Sequence, residues 1–510
     1  MGWGKHPVHT KIVSFSKGVN HLNYNCSMIS ANRNSGLSYE YTQDRITHWD
    51  RVAKKSDYWR GLGPYYHKRL CEIYCLLVPP NQRVLEIGCG LGNLLASLKP
   101  GHGVGIDFSP EMVCRAKRRH PQLNFIHEDA HNFRLDDEPF DYIILSDLVN
   151  DVQDVLAVFE NLAQYTQPTT RLVLNYYSRL WQLPLNLAQC LNLANPLLAQ
   201  NWLTKEDIEN LLYLTGYQTI RSWEEILFPL NIPGFAQISN KFLVRFWPFK
   251  YLALTNFTIS RRLTPAEQTP DDPSVSIIIP TRNEAENIPA IFERVPTMGN
   301  EMELVFVEGH SKDDTFEAIE REIKLHPHQK LRLIKQRGTG KGDAVQEGLR
   351  YAEGEIILIL DADLSVPPED LPMFYNALVS QKGEFANGSR LVYPMEKQAM
   401  RFLNLVGNKF FSLLLSWLMG QHIKDSLCGT KAFWRSDYQL IDALRKYLGG
   451  LDPFGDFDLL FGAAKLNKKI VDIPVRYRER TYGKTNIKRW KHGLLLMKMT
   501  FVAASKLKFK

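Results

Sequence analysis

Two short segments of the chain carry residue types that can hold nucleotides. Val84 to Gly92 reads Val-Leu-Glu-Ile-Gly-Cys-Gly-Leu-Gly, and its glycines let backbone N–H groups approach a ligand closely. Ile359 to Leu364 reads Ile-Leu-Asp-Ala-Asp-Leu, and its two acids suit a divalent cation that bridges a diphosphate. The first segment therefore predicts a small cofactor held by backbone, and the second predicts a diphosphate held through a metal ion.

Further residues strengthen the first segment. Asp107 ends the next predicted strand, about 20 residues on, where an acid can accept hydrogen bonds from both hydroxyls of a ribose. Asp129 and Ala130 follow the third predicted strand, and Asp129 can accept a hydrogen bond from an adenine amino group. A glycine loop followed by two acids at successive strand ends indicates a site for a cofactor that contains a nucleoside.

This order of motifs resembles the class I S-adenosylmethionine-dependent methyltransferases over about residues 42 to 262. The resemblance implies S-adenosylmethionine as the cofactor, bound by Glu86, Gly88, Gly90, Gly92, Asp107, Asp129, Ala130 and Ser146. The Gly-x-Gly-x-Gly spacing differs from the Gly-x-Gly-x-x-Gly of hydride-transfer enzymes. If the methyl acceptor must lose a proton, His127, His131 and Tyr176 are candidate bases, and none of them stands out. The alternative is a Rossmann-like domain that no longer binds its ligand.

Four other polar segments accompany the two acids near Leu364. They lie at predicted strand ends or before a predicted helix and comprise Pro280 to Glu284, Glu308 to Thr315, Gly340 to Gly342 and Gly388 to Arg390. Mg²⁺ keeps several ligands from water and phosphate, so two carboxylates suffice, and Mn²⁺ fits the same donors. The pattern predicts that Asp361 and Asp363 bind the metal.

These segments resemble the family 2 glycosyltransferases of GT-A fold, and within them the dolichyl-phosphate mannose synthase-like group, over about residues 274 to 488. The resemblance implies that the nucleotide sugar is bound by Pro280, Thr281, Glu284, Glu308, Lys341, Asp361, Ala362, Asp363, Arg390, Arg401, Lys431 and Arg480. The chain departs from the family pattern twice. Glu308-Gly-His-Ser stands where Asp-Asp-Gly-Ser is usual, and Arg480-Thr-Tyr-Gly-Lys-Thr-Asn replaces Arg-x-x-Gly-x-Ser-Lys.

The acceptor decides whether the glycosyl transfer needs a base. A lipid phosphate is already ionised near neutral pH, whereas a hydroxyl acceptor must lose a proton. Asp425 is a candidate for positioning the acceptor, and Asp456 and Asp458 are candidates for the base. Each of these acids can instead serve as a helix N-cap or a salt-bridge partner.

Strands alternate with helices in two successive series, which indicates an α/β fold with two tandem Rossmann-like domains, a class I methyltransferase fold followed by a GT-A fold. We predict a weakly ordered segment at 1–40, a methyltransferase-like domain at 41–263, a linker at 264–274, a glycosyltransferase domain at 275–488 and a basic amphipathic tail at 489–510. The linker contains three prolines and three acids without a large apolar residue. Such a linker predicts domains that fold separately.

Composition narrows the class of protein. A chain of 510 residues is too long for one core, and 44% apolar with 23% charged residues is ordinary for a globular protein. Seven cysteines without regular spacing favour a reduced, cytoplasmic chain. The N-terminus lacks the apolar region of a signal peptide, and no stretch reaches the roughly 20 apolar residues of a spanning helix. The net charge of +7 does not concentrate along one helix with interleaved aromatics, so nucleic acid is not an expected partner.

Two segments nevertheless suggest a membrane surface. Phe402 to Met419 is apolar with polar residues at about helical spacing, and Trp417 can serve as an interfacial anchor. The chain beyond Lys488 adds basic residues among Leu, Met and Phe, a composition that favours anionic lipid. We expect peripheral binding at the inner face of the membrane. The alternative for the first segment is an amphipathic helix packed on its own core.

These observations lead to two hypotheses. In the first, the chain is bifunctional: a metal-dependent glycosyltransferase moves a sugar from a nucleotide sugar to a polyprenyl phosphate or another lipid-phosphate or glycan acceptor near the membrane, and a methyltransferase uses S-adenosylmethionine. In the second, only the glycosyltransferase is active, and the methyltransferase-like domain binds without catalysis.

Overall fold

The computed structural model describes residues 35–55, 63–190, 198, 200–263, 272–392, 402–448, 455–478 and 489–509. Arg401, Arg480 and most of the predicted linker lie outside these ranges. The chain divides into two compact units, Met1–Arg45 and Ile46–Lys510, and the second contains both predicted sites.

The first domain is built on a seven-stranded sheet. Its strands are β1 (Arg83–Ile87), β2 (His102–Asp107), β3 (Asn124–His127), β4 (Tyr142–Ser146), β5 (Arg171–Tyr177), β6 (Tyr217–Glu225) and β7 (Thr255–Arg262). The spatial order is β3-β2-β1-β4-β5-β7-β6, in which the first five strands run parallel and β7 is antiparallel to both of its neighbours. Strands β7 and β6 complete one edge of this sheet.

Helices flank this sheet because parallel strands need crossover connections. These helices are α2 (Gly63–Leu77), α3 (Asn93–Ser97), α4 (Pro110–Arg119), α5 (Val155–Leu162), α6 (Gln182–Cys190), α7 (Lys205–Leu214) and α8 (Phe235–Lys241). Helix α1 (Ser35–Lys55) precedes them in the chain and contains the boundary between the two units. Their starts follow capping chemistry: Ser109 accepts from the N–H of Met112, and Thr204 forms a reciprocal capping box with Asp207. The segment between β6 and β7 contains α8.

The second domain has a second seven-stranded sheet. Its strands are β8 (Val275–Thr281), β9 (Met302–Glu308), β10 (Lys330–Lys335), β11 (Ile356–Ile359), β12 (Phe385–Ser389), β13 (Lys431–Trp434) and β14 (Ile470–Pro474). The order is β10-β9-β8-β11-β13-β12-β14, with β8 to β11 parallel and β13 antiparallel to both neighbours. The carboxyl ends of β8 to β11 therefore meet at one edge, where open α/β sheets bind ligands.

The helices of the second domain cover both faces of its sheet. They are α9 (Ile288–Arg294), α10 (Thr315–Leu325), α11 (Lys341–Tyr351), α12 (Leu371–Val379), α13 (Phe402–Met419), α14 (Arg435–Leu448), α15 (Asp456–Lys465) and α16 (Arg489–Leu507). Helices α13, α15 and α16 contribute Leu415, Leu460 and Met499 to one apolar cluster. The tail predicted beyond residue 488 is thus, in its described part, a helix packed on this domain.

A buried cluster of charges joins the two domains. The carboxylate of Glu384, beside β12, pairs with Arg171 of β5 at 2.5 Å, with Arg261 of β7 at 3.6 Å and with Lys468 at 3.5 Å. Burial alone would raise the pKa of Glu384, but the three cations lower it to about 2. The folded domains therefore share a charged interface, while their separate folding remains a prediction from the linker.

We predict that Glu384→Gln lowers the free energy of unfolding of the whole chain by about 3–5 kcal/mol, because it leaves the buried Arg171 and Arg261 without their carboxylate, while Lys468 keeps Asp437. The midpoint of urea unfolding measures this effect. Since the pKa of Glu384 is depressed, its contribution is complete above the ordinary value of 4.5 and is lost as the pH falls towards about 2. Glu369→Gln, in a solvent-exposed pair with Arg294, is the control and should change stability little. If the two substitutions lowered the free energy of unfolding equally, the proposed contribution of the buried cluster to stability would be contradicted.

Candidate functional site

The glycine loop after β1 forms a bare backbone surface. Gly88, Gly90 and Gly92 all have positive φ, a conformation that favours glycine. A Cβ on Gly92 would lie 2.4 Å from Cζ of Phe125, and one on Gly88 would lie 2.8 Å from Cδ1 of Leu148, whereas a Cβ on Gly90 would meet nothing within 4 Å. The outer two glycines are fixed by packing, and the middle one borders open space.

Asp107 links this loop to the end of β2. Its carboxylate accepts the N–H of Gly90 at 2.8 Å and the N–H of Ser109 at 2.9 Å. Burial raises the pKa of Asp107 to about 6, although these two hydrogen bonds oppose the shift. A carboxylate beside an open glycine loop, at the ends of adjacent parallel strands, fits a ribose with two free hydroxyls.

Two other residues that are predicted to bind the cofactor, Glu86 and Asp129, form hydrogen bonds with the loops that follow them. Glu86 is buried in β1 and accepts the N–H of Leu95 at 3.0 Å, and burial raises its pKa to about 8. The carboxylate of Asp129 accepts the N–H of His131 at 2.9 Å and also contacts the His131 ring. Burial would raise the pKa of Asp129, but the contacts with His131 lower it. Glu86 thus supports the start of α3 from beneath, and Asp129 shapes the loop after β3.

Ala130 and Ser146 complete the predicted cofactor set, and both are half-buried. Ala130 follows Asp129 in the same loop, and its carbonyl accepts the side-chain amide of Asn161 at 3.4 Å. Ser146 ends β4, the strand next to β1, and so lies at the same edge of the sheet as the glycine loop. Their contributions to cofactor binding remain predictions.

The structure brings forward Asp147, a carboxylate that the sequence did not single out. Asp147 follows β4 with a φ of 55°, and its Oδ1 accepts from the Tyr66 hydroxyl at 2.8 Å and from the Asn175 amide at 2.5 Å. Burial raises the pKa of Asp147 to about 7, despite these two hydrogen bonds. In the sequence, Asp147 stood only within the segment Ser146 to Asp151, which by the methyltransferase resemblance faces the methyl donor. Its partners Tyr66 and Asn175 are remote in the chain.

At the second site, Lys341 forms an ion pair with Asp361. The Lys341 ammonium is 2.6 Å from Oδ1 of Asp361. Burial opposes the charge on Lys341, but Asp361, Asp456 and Asp363 together raise its pKa above the usual value. A Cβ on Gly429 would lie 2.2 Å from the Lys341 nitrogen and 2.3 Å from Oδ2 of Asp361. Glycine at this position therefore leaves room for the ion pair.

The two acids that are predicted to bind the nucleotide, Glu284 and Glu308, lie after β8 and at the end of β9. Glu308 accepts the N–H of Ser311 at 2.5 Å, and Glu284 accepts the Asn287 amide at 2.7 Å. The carbonyl of Thr281 accepts the N–H of Gly309 at 2.8 Å and so links the two strand ends. Pro280, next to Thr281, belongs to the same strand end, and Ala362 is buried between the two acids of the Asp-Ala-Asp segment. The altered Glu-Gly-His-Ser segment thus forms an ordered turn.

Asp425 is fully engaged in holding Arg390. Its two oxygens accept from Nε and Nη2 of Arg390 at 2.7 and 2.9 Å, and also from the Arg390 and Leu427 N–H groups and the Asn408 amide. Burial would raise the pKa of Asp425, but Arg390 and Asn408 lower it to about 2. Because no part of the Asp425 side chain is exposed, the geometry favours a positioning role in place of the predicted contact with an acceptor.

Lys431, Asp456 and Asp458 are buried on the inner side of the site. The Lys431 ammonium donates to the Cys428 carbonyl at 2.6 Å and to Asn387 at 3.0 Å, and lies 3.9 Å from Asp456. Asp456 and Asp458 occupy the first turn of α15, where the helix dipole favours acids. The charge of Asp456 thus acts on two lysines: it lies near Lys431, and it helps to raise the pKa of Lys341. The roles of Asp456 and Asp458 as a base stay predictions.

The donors at this site fit a cation that is shared with a diphosphate. Within the described ranges, no group of three or more His, Cys, Asp or Glu could hold a metal ion by itself. Mg²⁺ at nucleotide sites needs only one or two carboxylates, since phosphate and water complete its shell. Asp361 is a quarter exposed, and Asp363 accepts from the N–H and hydroxyl of Ser365 at 3.0 and 2.6 Å. The two acids offer suitable oxygens, with Lys341 as a fixed positive neighbour.

Comparison with known proteins finds a matching family for part of each domain. The profile described as "Methyltransferase domain" matches residues 62–222, and the profile described as "Glycosyl transferase family 2" matches residues 276–439. A dolichol-phosphate mannosyltransferase of Pyrococcus furiosus is 28% identical over 218 residues, which are 42% of this chain and 59% of that protein. An undecaprenyl-phosphate 4-deoxy-4-formamido-L-arabinose transferase of Proteus mirabilis is 25% identical over 213 residues, 41% of this chain and 61% of that protein.

The chain spans about three fifths of the length of these two curated relatives. Among solved structures, a SAM-dependent methyltransferase of Thermotoga maritima, described as a possible histamine N-methyltransferase, is 15% identical and aligns with 43% of this chain and 100% of its own. Its TM-score of 0.34 is too low to support an inference. The profiles and the motifs agree: residues 62–222 match a methyltransferase domain, and residues 276–439 match a family 2 glycosyltransferase domain.

Proposed function

We propose that the second domain transfers a sugar from a nucleoside diphosphate sugar to a polyprenyl phosphate or another acceptor at a membrane surface. The observation that carries this proposal is the cluster of Lys341, Asp361 and Asp456 at the edge where four parallel strands end. The curated relatives are named as dolichol-phosphate and undecaprenyl-phosphate sugar transferases, which supports the acceptor class.

Each side chain of the cluster has a role in this proposal. Asp361 and Asp363 would hold Mg²⁺ or Mn²⁺, which would neutralise the charge of the departing diphosphate. Lys341 adds a positive charge that does not depend on the metal. Arg390, fixed by Asp425, offers its remaining N–H groups to a phosphate. Because a lipid phosphate is already an anion, the transfer needs no base, and Asp456 serves as one only for a hydroxyl acceptor.

We predict that Asp363→Asn lowers glycosyl transfer by at least about 100-fold, because metal-ion charge stabilisation is worth several kcal/mol. The measurement is thin-layer analysis of the product formed from polyprenyl phosphate and a panel of nucleotide sugars, with and without added Mg²⁺. Asp442→Asn, an exposed acid on α14, is the matched control and should retain activity. Full activity of the Asp363 variant would contradict the metal role.

For the first domain we infer an S-adenosylmethionine site that supports methyl transfer, so that the chain is bifunctional. Methyl transfer from a sulfonium depends mainly on positioning, which the glycine loop and Asp107 can provide. For an acceptor that must lose a proton, Asp147 is better suited than Tyr176, because Tyr176 is completely buried within β5. The alternative, a domain that binds without catalysis, differs in the outcome of a methyl-transfer assay.

Asp107→Asn should weaken the binding of S-adenosylmethionine to the full chain by about 10–100-fold, since a hydrogen bond to a charged group is worth about 1.5–3 kcal/mol. Isothermal titration calorimetry measures this change. Asp137→Asn is the control, because Asp137 pairs with Arg83 at the other end of β1. If the unsubstituted chain gives no heat with S-adenosylmethionine, the cofactor site is not functional.

The orientation of α13 supports the proposal that the sugar acceptor lies at a membrane surface. The polar residues Asn408 and Ser412 of this helix are buried and bonded inside the domain, while Val406, Phe410 and Leu413 face outward. The neighbouring helix α16 likewise exposes Leu494 and Phe501. An apolar outer face beside a buried polar face suits a lipid surface. In the described part of the chain, no helix is long and apolar enough to cross a bilayer.

We predict that the full chain floats with anionic vesicles at low salt and that Leu413→Glu/Leu494→Glu raises the lipid concentration for half-maximal binding at least tenfold. Two apolar side chains that bury in lipid contribute about 1.5–3 kcal/mol each, and the added charges oppose insertion. Tyr213→Glu/Leu214→Glu, which changes two exposed residues at the end of α7, is the control for charge. Recovery of the unsubstituted chain only in the soluble fraction would refute membrane binding.

A further inference from the structure

The segment between β6 and β7 of the methyltransferase domain presents an apolar surface of its own. Exposed large side chains in this segment include Phe235, Ile238, Phe242, Phe246, Trp247 and Leu252. Trp247 is 76% exposed, and Phe235 and Ile238 are each more than half exposed. A contiguous apolar surface of this kind marks an interaction site rather than an ordinary protein exterior.

Helix α8 in this segment is oriented with its polar side inward. Phe235, Ile238 and Phe242 follow one face and point outward, whereas Ser239 and Asn240 are buried. Asn240 is bonded to both the N–H and the carbonyl of Phe228, at 2.8 and 2.6 Å. Because these hydrogen bonds hold the polar side inside, the helix cannot rotate to bury its apolar face without breaking them. The outward face therefore requires an apolar environment of its own.

The charge of the segment indicates what that environment is. From Ile226 to Leu254 the sequence contains Lys241, Arg245 and Lys250 but no Asp or Glu. Arg245 is buried and paired with Glu225, so the two lysines are the charges available at the surface. Aromatic and aliphatic side chains flanked by lysines, without acids, match the interface of an anionic bilayer.

The apolar surface continues into the glycosyltransferase domain. The ring of Phe246 stacks on Trp417 of α13 at 5.7 Å between centroids, and the ring of Phe242 stacks on Phe509 at 5.5 Å. Trp417 also donates its indole N–H to the Arg245 carbonyl at 3.1 Å. A row of aromatic rings thus joins α8 and the segment after it to α13 and the end of α16.

We propose that this β6–β7 surface is a second lipid-docking element, through which the methyltransferase domain lies on the same anionic membrane as the glycosyltransferase domain. The inference rests on the proposed function, because it takes the α13 and α16 surface to face lipid. It also specifies the methyl acceptor by class, as a molecule held at the membrane surface.

Flotation of the full chain with vesicles of phosphatidylcholine and phosphatidylglycerol in equal parts tests the proposal. Ile238→Glu/Trp247→Glu should raise the lipid concentration for half-maximal binding at least tenfold. The control is Tyr213→Glu/Leu214→Glu, which adds the same charge at the opposite end of β6. Unchanged binding of the Ile238/Trp247 variant, with binding lost in Leu413→Glu/Leu494→Glu, would overturn this inference and leave the proposed function intact. Failure of the unsubstituted chain to bind would overturn both.

A milder variant covers the case in which two glutamates disturb folding. Trp247→Phe keeps the apolar surface and removes one exposed fluorophore. With vesicles whose acyl chains carry bromine, the unsubstituted chain should show more quenching of tryptophan emission than Trp247→Phe, and equal fractional quenching would overturn the proposal. Light scattering without lipid identifies a different occupant: a dimer that Ile238→Glu/Trp247→Glu converts to monomer, with vesicle binding unchanged, would assign the surface to a second copy of the chain.

Discussion

A buried carboxylate is stable only when donors or cations pair with it, and this requirement shapes the loops of both domains. In the first domain, Asp107 ties the glycine loop to the end of β2 by accepting the N–H groups of Gly90 and Ser109. In the second, Asp425 accepts five hydrogen bonds and thereby fixes the guanidinium of Arg390. In both cases the acid orders a loop beyond the end of a strand, so the geometry of each proposed site is set by the folded chain itself.

The same requirement holds the two domains together. Glu384 lies in the second domain, while Arg171 and Arg261 lie on two strands of the first, and Lys468 completes the set. A chain connection by itself would leave the orientation of the two sheets unspecified. The pairs across the domain boundary fix it, because separation would remove the Glu384 carboxylate from the buried Arg171 and Arg261.

The sequence predicted the fold well because the fold depends on local pattern. Apolar strands that alternate with helices predicted two α/β domains, and that fold is confirmed. Residues whose partners are distant in the chain were beyond prediction. The residues near Asp147 in the sequence do not indicate that Tyr66 and Asn175 will bond to it. Likewise, the residues near Asp425 do not indicate that hydrogen-bond donors will occupy both of its oxygens. The motifs located the sites, but the partners that determine each acid's role depend on tertiary contacts.

The direction in which the apolar face of helix α8 points also depends on tertiary contacts, and it bears on the class of methyl acceptor. Its composition is that of an ordinary amphipathic helix, and the hydrogen bonds of Asn240 help to hold it with its apolar face outward. A polyprenyl-linked sugar does not leave the bilayer, because exposing its chain to water costs about 0.8 kcal/mol per CH₂. A methyltransferase that modifies such a product must therefore itself reach the lipid surface. A methyltransferase with a water-soluble acceptor would have no need for Trp247 and its apolar neighbours on the outside, next to the aromatic row that joins the two domains.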